Sequence, residues 1–185
     1  VFASVETQVP DYGKPRTLDL AAPKPVTLAA LTELVPAEVS ATNMNGRREG
    51  LVLDIDCDEE GRLKEELDPM FVMFRPQPGE TLKNMGPPVQ RDEEGRRYSF
   101  AMMEIRSLSY QRPRIGDTIL SMSADVDYGE KWRHTRRWMF EKESGVLLGI
   151  SDHAAVCMDL DARRAIPIPK DIREEMEQYC LRNYL

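Results

Sequence analysis

Hydrophobic and polar residues alternate with a period of two over four successive stretches between Tyr98 and Leu160. In the first, Tyr98, Phe100, Met102, Glu104, Arg106, Leu108 and Tyr110 share one parity. In the second, Thr118 to Tyr128, Leu120, Met122, Ala124 and Val126 do so. Trp132, His134, Arg136, Trp138 and Phe140 share a parity in the third, Lys131 to Lys142, and Val146 to Leu160 forms the fourth. Side chains alternate across a strand, so the pattern predicts four long β-strands. Pro113 cannot donate to a ladder and Gly116 permits a turn, while Gly129-Glu130 and Glu143-Ser144-Gly145 punctuate the later stretches. Short turns between long strands predict an antiparallel meander.

The residues upstream must supply what packs on that sheet. Arg48 to Asp58 reads as a further strand, followed by an acidic turn, Asp56 to Gly61. Asp68-Pro69 is a helix start: the carboxylate caps free N–H groups, and proline occupies the first helical position. Met70 to Phe74 is apolar on every side, which predicts a helix buried all round, with Pro76 and Pro78 limiting it. Thr27 is placed to cap a short helix ended by Pro36, and Asp171 to Tyr184 carries Ile172, Met176, Tyr179 and Cys180 on one helical face. The order predicts an α+β domain in which an antiparallel sheet of about five or six strands wraps around one buried helix. Residues 1–47, rich in proline near the start, read as an extended arm with short elements, and residues 48–185 as the domain with its C-terminal helix.

Composition narrows the function. A net charge of −7 leaves no broad basic face, so nucleic acid is not an expected partner. Three cysteines without CxxC spacing, and no basic leader ahead of an apolar run, lead to the expectation of a reduced, cytoplasmic setting. No apolar stretch approaches the ~20 residues that span a bilayer, so no membrane partner is expected. His134 and His153 have no carboxylate at helical ligand spacing, and neither a metal nor another cofactor is expected.

Three motifs in order carry a resemblance. Tyr110-Gln-Arg-Pro113-Arg-Ile-Gly116-Asp117 is similar to a Y-x-x-P-x-x-G-D hairpin, and Gly145 to Ser151 to a G-x-x-(I/L)-A-x-(A/S) turn and strand. Asp159 to Pro169 resembles a D-x-x-T-R-R-P-x-x-I-P tail. Over about residues 48–172 the chain resembles the hotdog-fold acyl thioesterases, in their 4-hydroxybenzoyl-CoA and acyl-carrier-protein branches. The resemblance implies a hotdog fold, hydrolysis of an acyl-CoA or acyl-carrier-protein thioester, and a homodimer or dimer of dimers.

Asp56-Cys57-Asp58-Glu59-Glu60-Gly61 is similar to the family's D-T-D-x-x-G turn, which puts the catalytic carboxylate at Asp58. Glu65 and Glu66 are the secondary candidates, by analogy with members whose carboxylate lies on the helix. The resemblance also implies carbonyl-polarising backbone N–H groups near residues 66–71. The family continues with His and paired Asn, where this chain has Arg62, Lys64 and Glu65. Asp58 to Leu63 is equally similar to the non-catalytic first repeat of the carrier-protein branch, so an acyl-thioester-binding module without turnover stands as the alternative. Met70, Phe71, Phe74, Met102 and His134 are the candidate substrate contacts, since a hotdog places this helix and sheet at the acyl pocket. The bland readings are core packing for the methionines and phenylalanines, a solvated turn for Asp58, and a satisfied strand histidine for His134.

Overall fold

The computed structural model describes residue 23 and residues 26–37, 45–73 and 89–184. Among the described residues, seven strands form one sheet: β1 (Gly46–Leu51), β2 (Gln90–Arg91), β3 (Arg97–Ser109), β4 (Thr118–Tyr128), β5 (Trp132–Glu141), β6 (Leu147–Asp159) and β7 (Arg164–Ala165). Their order is β1-β4-β5-β6-β3-β2, with β7 also on β6, and every pairing is antiparallel. Five strands are long enough to form the body of the sheet, and the two-residue strands β2 and β7 account for the excess over the expected five or six. The helices are α1 (Leu28–Thr32), α2 (Pro69–Met73) and α3 (Lys170–Tyr179).

Alternation sorts the core into two faces. Met122, Ala124, Val126, Trp138, Phe140 and Ile150 turn to the outer face, where Leu31 and Val35 of the α1 segment and Tyr184 near the C-terminus cover them. Part of the segment read as an arm is therefore core material. On the inner face, Ile119, Met139 and Leu148 meet Met70, Val72 and Met73 of α2. Tyr98 and Cys157 pack with Ile166, Ile168, Ile172 and Met176 at the α3 end.

Caps behave as their chemistry requires. The Thr27 hydroxyl accepts from the Ala30 N–H at 3.2 Å, and Asp68 Oδ1 accepts from the Met70 N–H at 2.8 Å. Three expectations are corrected. The four long strands are not one meander: β4, β5 and β6 pair in succession, but β3 lies against β6 and β1 takes the place beside β4. β1 ends at Leu51, because residues 54–56 close a 3-10 turn in which the Asp56 carboxylate takes the Leu53 N–H at 3.1 Å. The α2 segment is not buried all round: Phe71 is 60% exposed while Met70, Val72 and Met73 are buried, so only one side meets the sheet. Phe74, Pro76 and Pro78 lie outside the described residues.

α2 sits so close to β1 that a Cβ on Gly50 would lie 2.9 Å from the Val72 carbonyl oxygen and 3.1 Å from Met73 Sδ. Gly50→Ala is expected to force the two elements apart and cost ~1–3 kcal/mol, read as a lower urea midpoint at unchanged slope.

Candidate functional site

The acidic turn is tied to residues 110–117, the connection between β3 and β4, which lie apart in the sheet. Leu63 donates to the Pro113 carbonyl at 2.8 Å, Ile115 to that of Gly61 at 3.0 Å, and Gly116 to that of Val52 at 3.0 Å. Gly61, at φ +70°, supplies the left-handed residue that closes the turn. Two motifs that are separate in sequence thus form one structural unit.

Asp58 is the hub of that unit. Its Oδ1 accepts from the Glu60 and Arg62 N–H groups, both at 3.0 Å, and its Oδ2 from Arg112 Nη1 at 2.8 Å. Arg112 also donates to the Leu63 carbonyl at 3.2 Å. The Arg62 N–H foremost, and then the Arg112 guanidinium, hold the Asp58 carboxyl below the usual carboxylate range against partial desolvation. A carboxylate held ionised in this way is a weak general base near neutral pH. Its remaining chemistry is nucleophilic, through the lone pair left on Oδ2.

Beside this hub lies a groove of about 410 Å³, walled by residues 63–69 on one side and by Ser107, Leu108, Ser109 and Arg112 on the other. Glu65 and Glu66 stand in its wall, exposed, in the turn that precedes α2 rather than on the helix. Asp58 is not itself in the wall and reaches the groove through Arg112. The expected carbonyl-polarising N–H groups are largely committed. Those of Met70 and Phe71 go to Asp68, that of Leu67 goes to the Lys64 carbonyl, and Pro69 has none.

The proposed substrate contacts separate. Met70 lies at the inner face, with its Sδ 4.0 Å from Ser151 Oγ. Met102, 48% exposed, lies far along β3, and Phe74 is outside the described residues. His134 turns to the outer face, away from α2: it pairs with Asp152 Oδ1 at 3.0 Å and is buried beside Arg136. That geometry matches a satisfied strand histidine. Among the described residues, no group of three His, Cys, Asp or Glu side chains is placed to hold a metal ion, and no helix is long and apolar enough to cross a membrane.

Sequence reasoning passed over Arg112, which reads there as a polar residue in a hairpin. It also passed over Ser107 and Ser151, which join across the β3–β6 ladder with their hydroxyl oxygens 3.3 Å apart. Nothing in the order of residues signals either contact, since the partners are separated by 54 and 44 positions.

No protein-family model matches the chain, and no curated protein sequence does. Solved structures do match. The probable thioesterase YbaW of Escherichia coli is 14% identical at TM-score 0.52, over 72% of this chain and 97% of its own. A Staphylococcus aureus protein solved in complex with CoA is 16% identical at TM-score 0.55, over 75% and 84%. The 12:0-ACP thioesterase of Umbellularia californica is 17% identical at TM-score 0.53, over 75% of this chain and 51% of its own. The chain has the hotdog fold, and thioesterases of that fold are among its structural neighbours.

Proposed function

We propose that this chain is a hotdog thioesterase acting on acyl thioesters of CoA or of an acyl carrier protein, in the groove between the start of α2 and the end of β3. The observation that carries the reading is the groove itself: it brings Glu65, Glu66 and Arg112 together beside the Asp58 turn. Asp58 Oδ2 attacks the thioester carbonyl carbon, the C–S bond breaks to release the thiolate, and water hydrolyses the resulting mixed anhydride to the carboxylic acid. Glu65 and Glu66 are the alternative carboxylates, acting on a water in the groove. The protein works in the cytoplasm, where its three free cysteines stay reduced.

A specific observation favours the second reading, a module that binds acyl thioesters without turnover. Three donors already engage Asp58, and its carboxylate stands behind Arg112 rather than in the wall. Thiol release from acetyl-, hexanoyl-, palmitoyl- and benzoyl-CoA separates the two. Under the first reading, turnover is expected to fall ~100-fold or more in Asp58→Asn and to persist in Glu65→Gln and Glu66→Gln. Turnover surviving in Asp58→Asn but lost in a glutamate variant would move the catalyst, and binding without turnover in wild type would establish the module.

The active form is a homodimer built on the β3 edge. Beyond Tyr98, no described strand pairs with that edge, and Met102, Met103 and Ile105 expose 48%, 63% and 55% of their surface there. Ile105→Glu with Met103→Glu is expected to convert the dimer to monomer in sedimentation velocity; an unchanged sedimentation coefficient would exclude this edge.

A further inference from the structure

A row of polar side chains crosses the inner face of the sheet beside the groove. Ser107 of β3 lies opposite Ser151 of β6, which lies opposite Arg137 of β5. Ser107 is exposed in the groove wall, whereas Ser151 is fully buried beneath α2. The two hydroxyl oxygens are 3.3 Å apart, and Ser151 Oγ is 2.6 Å from His153 Nε2. The three side chains form a continuous hydrogen-bonded chain from a largely buried imidazole to the groove.

The direction of that chain decides what it presents to a ligand. Burial, and then the Arg137 guanidinium, push His153 down to about 4, so its ring is neutral at physiological pH and has one N–H to give. In the tautomer with that N–H on Nε2, His153 donates to Ser151. The one Ser151 hydrogen can then go to Ser107 Oγ at 3.3 Å or to Met70 Sδ at 4.0 Å, and the oxygen is the nearer and stronger acceptor. The Ser107 hydroxyl hydrogen is then left pointing to the groove. Each bond polarises the next, so the terminal hydroxyl is a better donor than an isolated serine. A thioester offers one strong acceptor, its carbonyl oxygen. The backbone donors at the start of α2 that would meet it are largely committed to Asp68 and Lys64.

The geometry points to Ser107 as the residue that binds the thioester carbonyl, with Ser151 and His153 as positioning residues that aim its hydroxyl. This rests on the acyl-thioester reading of the groove but holds whether or not turnover follows.

The test uses two non-hydrolysable CoA derivatives, the ketone S-(2-oxoheptyl)-CoA and the thioether S-heptyl-CoA, titrated calorimetrically into the full chain. Wild type is expected to prefer the ketone. Ser107→Ala is expected to weaken ketone binding several-fold, as for loss of one neutral hydrogen bond, and to leave thioether binding unchanged. Ser107→Thr restores the preference, because it returns the hydroxyl. Ser151→Ala lowers the ketone-to-thioether ratio by a smaller factor, a readout that merely structural damage would not move. Equal effects on both ligands, or none on either, in Ser107→Ala would overturn the assignment while leaving the groove reading intact. Failure of wild type to bind either ligand would overturn both.

Discussion

Asp152→Ala is expected to destabilise the protein by ~3–5 kcal/mol, the cost typical of removing one partner from a buried charge pair. Asp152 is 2% exposed and lies directly opposite Arg136 across the β5–β6 ladder. Its Oδ1 accepts from Arg136 Nε at 2.6 Å and its Oδ2 from Arg136 Nη2 at 3.1 Å, while His134 Nε2 stands 3.0 Å from Oδ1. Arg136 reaches on to the Tyr184 carbonyl, so the pair also fastens the C-terminal turn over the outer face. Desolvation works against the ionised carboxylate, but the His134 and Arg136 bonds outweigh it and hold the group below its usual range. Removing the carboxylate leaves a guanidinium only 5% exposed beside an apolar cluster of Trp138 and Ile150. The Arg136→Met/Asp152→Leu double variant is expected to recover a large part of the loss, because neither buried charge is then orphaned. Denaturant midpoints of the two single variants and the double one give the coupling. Additive losses would show that the pair is not a unit.

Acid is expected to destabilise the fold well above the carboxylate range. His153 titrates at about 4 in the folded chain against an ordinary 6.5. The folded state therefore binds fewer protons than the unfolded state between those values, and stability falls as pH drops through the window. The loss is on the order of 3 kcal/mol, complete only when the pH reaches the folded value. Burial is the main cause; Arg137 and Arg133 oppose the proton, and Asp152 and Asp68 favour it. Asp152 adds its own loss only at lower pH, since its pKa is depressed. Unfolding midpoints measured at pH 7 and at pH 4.5 check the sign. In His153→Gln the slope across that window should flatten, and an unchanged slope would assign the acid sensitivity to another group.

Much of the sheet was legible because strand periodicity is a local property. The four stretches between Tyr98 and Leu160 occur as β3 to β6, β4 with the expected ends and the others with ends shifted by one residue, and Leu120, Met122, Ala124 and Val126 share the outer cluster. The caps at Thr27 and Asp68 were equally legible, because a cap is a contact over two or three residues.

The parity of β3 was not. A bulge between Met102 and Glu104 sets Met102 opposite Ala155 and Glu104 opposite Ala154, on opposite faces. The run from Tyr98 to Leu108, one face by periodicity, is therefore split, and Ser107 is turned inward toward Ser151. No local signal marks that extra residue, because the ladder to β6 defines it.

The sequence by itself determined where the long strands, the helix starts and the acidic turn lie, since each depends on neighbours within a few residues; that β3 pairs with β6 and leaves β4 to β1 was decided only by the tertiary structure. Only the tertiary structure decided what the candidate residues can do. It gave Asp58 to Arg112, His134 to Asp152, and Ser107 to Ser151 and His153. Protonation and hydrogen-bonding capacity are set by the groups within about 3 Å in space, and those groups come from strands and turns far apart along the chain.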